Sequence, residues 1–253
     1  MSLPKAFYAW EEHIGIDLPG ARALFTTRRG GFSEGPYSSL NLGRMTDDRP
    51  EAVRRNRVKV QEQAGVPAAL IYQVHGTSVR TISGMSDVGV APPADRDLEL
   101  SKADGQATQL SGVAPMVLTA DCLPIAVAGD GAVAMLHAGW RGLAGGIVSE
   151  GVRAVRELGG DGPLAAAIGP GAGGCCYEVG DEVFERFAVY GDRVRHGRNI
   201  DLKAIARDQL ERAGVQDVHD VDLCTICSEG SLFFSHRRDR GVTGRQAGLV
   251  WLS

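Results

Sequence analysis

The stretch LTADCLPIAVAGDGAVAMLHAGWRG, residues 118–142, contains two apolar runs joined by a glycine-rich turn. Gly129, Asp130 and Gly131 suit the positive-φ positions of a tight turn, so the stretch predicts a β-hairpin. In that hairpin residue 128 lies opposite about 132, and residues 122–124 lie opposite 136–138. Cys122 and His137 are therefore expected to meet at its open end, with Cβ atoms roughly 4.5–8 Å apart.

The rest of the chain mixes helix patterns with short apolar runs of strand length. Apolar residues at helical spacing between capping residues and glycines predict four helices. They cover 50–64, 143–158, 181–190 and 201–213, the last two with Asp181 and Asp201 as N-caps. Strands are predicted over 23–27, 70–74, 116–119, 125–128, 132–136, 165–168, 218–223 and 247–252. Several strands are hairpin neighbours, so we expect one α+β domain, residues 1–253, of layered mixed β-sheets with flanking helices. The polar segment 84–103 is expected to run over the surface.

Composition limits the classes of partner. The chain has 253 residues, of which 43% are hydrophobic, as in an ordinary globular protein. Its 27 Lys and Arg against 31 Asp and Glu give a net charge of -4, so no basic field favours nucleic acid. The first residues lack an apolar segment after a basic start, and no window reaches the roughly 18 apolar residues of a membrane span. We therefore expect a cytoplasmic protein without nucleic-acid or membrane partners.

Five cysteines, an odd number in a chain of this length, favour reduced thiols or metal ligands over disulfides. Cys224 and Cys227 have CxxC spacing. Without a second CxxC this spacing is a weak zinc signal, and two small residues at a strand end are the preferred interpretation.

His75 is a third candidate at the hairpin's open end, because it follows the apolar run 70–74 and precedes a glycine. The other histidines considered, His13, His196 and His219, are expected to be solvated. A His-Cys-His set would leave one position of a tetrahedral zinc open to water, as in a catalytic site.

Two other interpretations of Cys122 stay open at this point. It could be buried as a small hydrophobic residue. It could also form a nucleophilic dyad with His137 and attack an acyl carbon, which would make the protein a cysteine hydrolase acting on an amide or a peptidoglycan precursor. A dyad does not require His75, whereas a metal site does. A zinc-stabilised binding protein without catalytic activity is a further hypothesis.

Glycines and arginines supply the remaining signals. Gly169, Gly171 and Gly174 have G-x-G-x-x-G order, but no helix follows them directly, so a tight crossover loop is as good an interpretation as a ligand-binding wall. Arginines near the predicted site indicate an anionic co-substrate such as phosphate. They are Arg28, Arg29, Arg141, Arg237, Arg238, Arg240 and Arg245.

Seven motifs together resemble one family. They are FTTRRGGFSEGPYSSLNLG, QVHGTSV, KADGQAT, LTADCLPI, MLHAGWRGLAGGIV, IGPGAGGCCYEVG and FFSHRRDRGVTGRQAGLVWL. Their order and spacing, from about Ala23 to Leu252, resemble the YfiH family, also called the laccase-domain or polyphenol-oxidase family and later assigned as purine nucleoside phosphorylase. The resemblance implies a fold similar to the catalytic domain of cytotoxic necrotizing toxins. It also implies a zinc ion held by His75, Cys122 and His137.

The activity implied by this resemblance is phosphorolysis of adenosine, inosine and methylthioadenosine to the base and ribose 1-phosphate, with adenosine deamination as a companion. The expected partners are thus a purine nucleoside and phosphate. The expected catalytic residues are Cys122, His137 and Arg141, with Asp121 or Glu178 as proton carrier. Substrate binding is expected from Arg28, Asn41 and Arg141.

Two positions depart from the family pattern, His236 in place of a tyrosine and Ala206 in place of an asparagine, and either could alter the pocket. A multicopper laccase is excluded, because its trinuclear cluster needs many imidazoles in H-x-H pairs and this chain has six histidines and no such pair. Cu²⁺ in the His-Cys-His site could still give weak phenol oxidation.

Overall fold

Two six-stranded sheets form the framework of the protein in a computed structural model that describes residues 3–88, 100–228 and 232–253. The strands are β1 (Phe7–Trp10), β2 (His13–Leu18), β3 (Ala21–Phe25), β4 (Ala68–Ala69), β5 (Val79–Thr81), β6 (Gly105–Thr108), β7 (Ala114–Thr119), β8 (Leu123–Asp130), β9 (Ala132–Ala138), β10 (Asp161–Ile168), β11 (Arg195–His196), β12 (Asn199–Ile200), β13 (Val215–Asp220) and β14 (Gln246–Leu252). The α-helices are α1 (Pro50–Ala64), α2 (Trp140–Gly145), α3 (Ile147–Glu157), α4 (Asp181–Arg186) and α5 (Leu202–Arg212). Short 3₁₀ turns occupy Gly35–Tyr37, Met85–Asp87 and Ala188–Val194.

Both large sheets are mixed. The first has the strand order β1-β2-β3-β14-β7-β4 and the second β13-β10-β8-β9-β6-β5, while β11 and β12 pair separately. The pairs β4–β7, β5–β6 and β10–β13 are parallel, and the other pairs are antiparallel. This confirms the predicted α+β domain with mixed sheets.

The β8–β9 hairpin is buried on both faces. On β8, Ile125 and Val127 pack with α3 and α5, whereas Ala126 and Ala128 pack against residues of the first sheet. Helix α1 covers the other face of the first sheet. The molecule thus has four layers, helix, sheet, sheet and helix, and double-sided burial explains why the hairpin strands are continuous apolar runs.

The register of this hairpin brings its open end to the predicted place. His137 pairs with Pro124 and Ala138 with Leu123, which lie within the predicted ranges 136–138 and 122–124. The predicted register is wrong by one residue along the whole hairpin, because Ala128 pairs with Val133 and Gly129 with Ala132. Only Gly131 of the three turn residues has a positive φ, 75°.

The helices agree with the sequence in part. Helix α1 has the predicted bounds, and the Asp201 carboxylate caps α5 by accepting hydrogen bonds from two backbone N–H groups. The predicted helix 143–158 begins earlier and is divided at Gly146, whose φ is 95°. The predicted helix 181–190 ends at Arg186, and its N-cap is Gly180, so the prediction of an Asp181 cap is wrong.

Residues 70–74 do not form the predicted strand, because a side chain takes the place of a backbone neighbour. The Gln73 amide donates to the Leu118 carbonyl and accepts from the Leu118 N–H, both at 2.8 Å. Of the segment 84–103, residues 89–99 lie outside the described ranges. Within the described ranges, every helix is too short or too polar to cross a bilayer.

Candidate metal centre

His75, Cys122 and His137 meet at the open end of the β8–β9 hairpin. One ligand atom from each lies within 4.8 Å of the others. The two imidazole rings stand edge to face with centroids 4.9 Å apart. His137 is buried, Cys122 is half-buried and His75 is exposed. The structure therefore brings the three predicted ligands together, and the group is exposed to solvent on the side of His75.

Local backbone geometry aims these side chains. His137 lies on β9, Cys122 immediately precedes β8, and His75 adopts a left-handed conformation with φ 59°. Asp121 also has a positive φ, 92°, which turns the chain just before Cys122. A Cβ on Gly139 would lie 2.9 Å from the Cys122 Sγ, so this position requires glycine for the thiol to approach.

Asp104, which the sequence analysis missed, connects two of the three ligands. Its carboxylate accepts hydrogen bonds from the His137 Nδ1 at 2.8 Å and from the His75 N–H at 2.9 Å. The N–H groups of Val74 and Gly76 donate to it as well. Since Nδ1 of His137 is used by the carboxylate, Nε2 is left for a metal. Asp104 lies in the motif KADGQAT, and the parallel pairing of β5 with β6, together with a backbone bridge between Tyr72 and Lys102, brings that motif to the turn that carries His75.

Charge is distributed unevenly over this group. Burial raises the pKa of the Cys122 thiol, but His137 and His75 oppose it and bring the pKa to about 6. Burial lowers the pKa of His137, but the Cys122 thiolate and Asp104 raise it to about 9. Burial likewise acts to raise the pKa of Asp104, and hydrogen bonds from His137 and Gly76 leave it below its usual range. Cys122 is thus a thiolate at neutral pH, the form that a metal or a nucleophilic dyad needs.

A cavity of about 750 Å³ opens in front of these residues. Asp121 and five arginines line the cavity. The arginines are Arg44, Arg57, Arg141, Arg237 and Arg245. Three of these are held by backbone carbonyls: Arg57 donates twice to Leu42, Arg237 donates to Glu178, and Arg245 donates to Thr243 and Gly244. Burial, with Arg44 nearby, lowers the pKa of Arg57 to about 10, so this guanidinium group remains charged at neutral pH.

Arg141 and Asp121 lie in the cavity wall, as expected for site residues. The Arg141 guanidinium stacks over the Trp140 ring, 4.3 Å from its centroid. The Asp121 carboxylate accepts hydrogen bonds from the Thr225 hydroxyl and the Arg237 N–H, both at 2.7 Å.

Glu178 lies outside this cavity. Its carboxylate pairs with Arg198 at 2.7 Å and lines a smaller neighbouring cavity of about 320 Å³. Trp140, Tyr177 and Arg237 line both cavities.

Arg28 and Asn41 are not among the described residues that line the main cavity. Arg28 stacks on Phe234 and donates to the carbonyls of Ser38 and Pro36, so it shapes the surrounding loop. Asn41 is buried and accepts hydrogen bonds from the N–H groups of Gly43 and Arg245. It therefore positions two cavity residues and does not face the cavity itself.

The two departures from the family pattern have different surroundings. His236 is exposed and lines the cavity. Ala206 is fully buried in the hydrophobic core on α5 and does not reach the cavity. The expectation that His13 is solvated is wrong, because it is 1% exposed and lies between Gln63 and Thr27.

Cys224 and Cys227 also differ from their sequence interpretation. They lie beyond the end of β13, and Cys175 and Cys176 join them in a group of four sulfur atoms within 4.8 Å of one another. The second cysteine pair is adjacent and not CxxC-spaced, which hid the group from motif analysis. The glycines at 169 and 171 pack against the open end of the hairpin, consistent with a tight crossover loop.

Comparisons with known proteins agree over almost the whole chain. The sequence model of the family described as multi-copper polyphenol oxidoreductase laccase matches residues 22–253. A purine nucleoside phosphorylase of Streptomyces coelicolor is 40% identical over 244 residues, 92% of this chain and 96% of that protein. The purine nucleoside phosphorylase YfiH of Escherichia coli is 35% identical over 246 residues, 92% of this chain and 94% of that protein.

Solved structures also match almost the whole chain. The crystal structure of YfiH from Bacillus licheniformis has a TM-score of 0.88 and 32% identity, and the match covers 99% of this chain and 100% of that one. The crystal structure of YlmD from Geobacillus stearothermophilus has a TM-score of 0.85 and 33% identity, with 98% of this chain and 99% of that one covered.

Proposed function

Because the chain belongs to the YfiH family of laccase-domain proteins, we propose that it is a zinc-dependent purine nucleoside phosphorylase. Its substrates would be adenosine, inosine or methylthioadenosine together with phosphate, and its products the free base and a ribose 1-phosphate. One observation carries the proposal: a two-imidazole, one-thiolate group opens into a cavity lined by five arginines.

The donor set fits a zinc ion with one open position. Two imidazole nitrogens and a thiolate are ligands that zinc accepts, and three protein ligands are typical of its catalytic sites. His75, on the exposed side of the group, borders the cavity, so the fourth position would face substrate. When bound there, zinc supplies Lewis acidity toward a substrate atom or water in the cavity.

The arginines supply the phosphate site of the proposal. Planar guanidinium groups bind phosphate through paired hydrogen bonds, and their charge offsets that of the dianion. Arg57, Arg237 and Arg245 already donate to backbone carbonyls, whereas Arg141 stacks on an aromatic ring at the wall. We therefore assign Arg141 the main contact with phosphate. Arg28, which lies away from the cavity, would support the neighbouring loop only.

Asp121 is the better candidate for the proton carrier. It lies in the wall next to Cys122, whereas Glu178 is paired with Arg198 and faces the smaller cavity. A carboxyl group there would hold or deliver a proton at the purine as the base departs. The same group would serve adenosine deamination, which we propose as a companion activity.

Copper in the same three-ligand site would allow weak phenol oxidation only. Two histidines and a cysteine resemble a mononuclear copper site. The metal-binding groups found among the described residues contain two histidines in all, too few for a trinuclear cluster.

Incubation of metal-quantified protein with adenosine, with and without phosphate, tests the proposal. We expect adenine to appear only when phosphate is present, and inosine to appear in either case from deamination. Failure to turn over any purine nucleoside would rule the proposal out.

The variant His75→Ala separates the metal site from a Cys122–His137 dyad. We expect loss of zinc and of turnover, whereas a cysteine hydrolase would keep its activity on an amide substrate. His196→Ala is the matched control, because this imidazole is 55% exposed at the surface.

A further inference from the structure

The fold brings two cysteine pairs from distant parts of the chain to one sheet edge. Strands β10 and β13 are parallel neighbours, so the loops that follow them leave from the same edge. The first loop carries Cys175 and Cys176, and the second carries Cys224 and Cys227. Backbone hydrogen bonds tie the loops together: the Thr225 N–H donates to the Gly171 carbonyl at 3.0 Å, and the Gly171 N–H donates to Leu223 at 3.3 Å.

The four sulfur atoms lie at the spacing of a single ion's ligands. All are within 4.8 Å of one another, and the Sγ atoms of Cys175 and Cys227 are 3.5 Å apart. Zn–S bonds of about 2.3 Å in a regular tetrahedron put neighbouring sulfurs about 3.8 Å apart. A small inward movement of the side chains would therefore complete the tetrahedron.

Backbone N–H groups point at one of these sulfurs. The Gly173 N–H donates to the Cys224 Sγ at 3.3 Å, and the N–H groups of Ile226 and Cys227 also interact with it. Donors around a sulfur stabilise a thiolate, the form that binds metal.

We propose that Cys175, Cys176, Cys224 and Cys227 bind a second zinc ion in a closed, structural site. Four thiolates leave no position for substrate, which is the arrangement of structural zinc. Binding releases one proton from each cysteine that is still protonated and needs no oxidant or reductant. The proposal does not depend on the activity assigned to the first site.

This second ion would fix one wall of the main cavity. Tyr177, which follows Cys176, lines that cavity. Thr225, between Cys224 and Cys227, donates its hydroxyl to the Asp121 carboxylate. Clamping the two loops would hold the tyrosine ring and the aspartate in fixed positions beside Cys122.

Counting metal in reciprocal variants tests the second site. The protein is purified anaerobically, loaded with zinc, desalted and measured for zinc per chain. We expect two equivalents in the wild type, one in Cys175→Ser/Cys227→Ser and one in His75→Ala/His137→Ala. Each double variant controls for the other. One equivalent in the wild type, lost entirely in the histidine variant, would overturn the proposal, as would iron with acid-labile sulfide or a Cys175–Cys227 disulfide.

Cobalt loading identifies the ligands of the remaining ion. In His75→Ala/His137→Ala we expect the intense charge-transfer bands of several thiolates on tetrahedral cobalt. In Cys175→Ser/Cys227→Ser we expect the much weaker bands of a single thiolate. Equal spectra would contradict the assignment.

A titration of the wild type covers the case in which the cysteine variant does not fold. An organomercurial is added stepwise to the zinc-loaded protein in the presence of a zinc indicator. We expect one zinc to be released as four thiols react and a second with the fifth thiol. Zinc release that follows a single thiol only would contradict the four-cysteine site.

Discussion

At the residue scale, one carboxylate joins the backbone turn of His75 to the ring of His137. Asp104 is fully buried, and protein groups use both of its oxygens. The candidate ligands could be predicted from the sequence, because each lies close to a glycine or a proline at the end of an apolar run. Asp104 was not, since its partners are 28 to 33 residues away and meet it only through sheet pairing.

We expect Asp104→Asn to weaken zinc binding at the first site about 10- to 100-fold, the usual effect of losing a group that orients a metal ligand. In the variant, the side-chain amide nitrogen would face an N–H group that now donates to the carboxylate, so that hydrogen bond would be lost. Competition with a chromophoric chelator measures the affinity. Asp217→Asn is the control, because that carboxylate also contacts a histidine, His219, but at the surface. Unchanged affinity in Asp104→Asn would contradict the role.

Arg141→Ala should raise the KM for phosphate by roughly 10- to 100-fold, the effect of losing a charge-assisted hydrogen bond worth about 1.5–3 kcal/mol. The KM for nucleoside should change little. Steady-state kinetics with each substrate varied in turn provide the measurement. Arg153→Ala, on the exposed face of α3, removes a guanidinium group without touching the cavity. A larger effect on nucleoside than on phosphate would move the phosphate site elsewhere.

At the element scale, sequence patterns predicted β3, β7, β8, β9, β10, β13 and β14 and missed the other described strands. The β1–β2 hairpin was missed because its turn has Glu11 at φ 52°, a conformation that glutamate rarely adopts and that carries no turn signal. The burial of His13 on β2 follows from the same hairpin. The run 70–74 was wrongly predicted as a strand because period and composition do not reveal a side chain that replaces a strand neighbour.

We expect Gln73→Ala to lower the free energy of unfolding by about 1–3 kcal/mol, because the backbone N–H and carbonyl of Leu118 lose their partner. Urea denaturation followed by circular dichroism measures the change. Gln109→Ala, at an exposed position just beyond β6, should have a much smaller effect. Equal stability of the two variants would show that Gln73 does not replace a strand neighbour.

At the scale of the whole molecule, the four-layer arrangement was predictable as a class but not in its strand order. Apolar runs indicate which segments are strands, whereas no local sequence pattern indicates that β10 and β13, about 50 residues apart, pair with each other. The same pairing assembles the four cysteines. This explains why the hairpin site was predicted and the cysteine site was not.

Zinc should stabilise the folded chain through both sites. An ion present at about 100 times its dissociation constant adds about 2.7 kcal/mol per site when it binds only the folded state. We expect zinc to raise the midpoint of thermal unfolding. In His75→Ala/His137→Ala we still expect a rise, because the four-cysteine site remains. Magnesium at the same concentration is the control, because it prefers oxygen ligands. A histidine variant insensitive to zinc would contradict the second site.

The position of Asp104 also bears on which ion occupies the first site. It orients one imidazole and the turn of the other through hydrogen bonds between protein atoms alone, so the ligands need little rearrangement to receive an ion. Three protein ligands leave part of the coordination geometry open, and nitrogen and sulfur donors favour copper over zinc in intrinsic affinity. We therefore expect the activity of a given preparation to follow its metal supply, and growth in copper-rich or zinc-rich medium to yield two catalytically different enzymes from one gene.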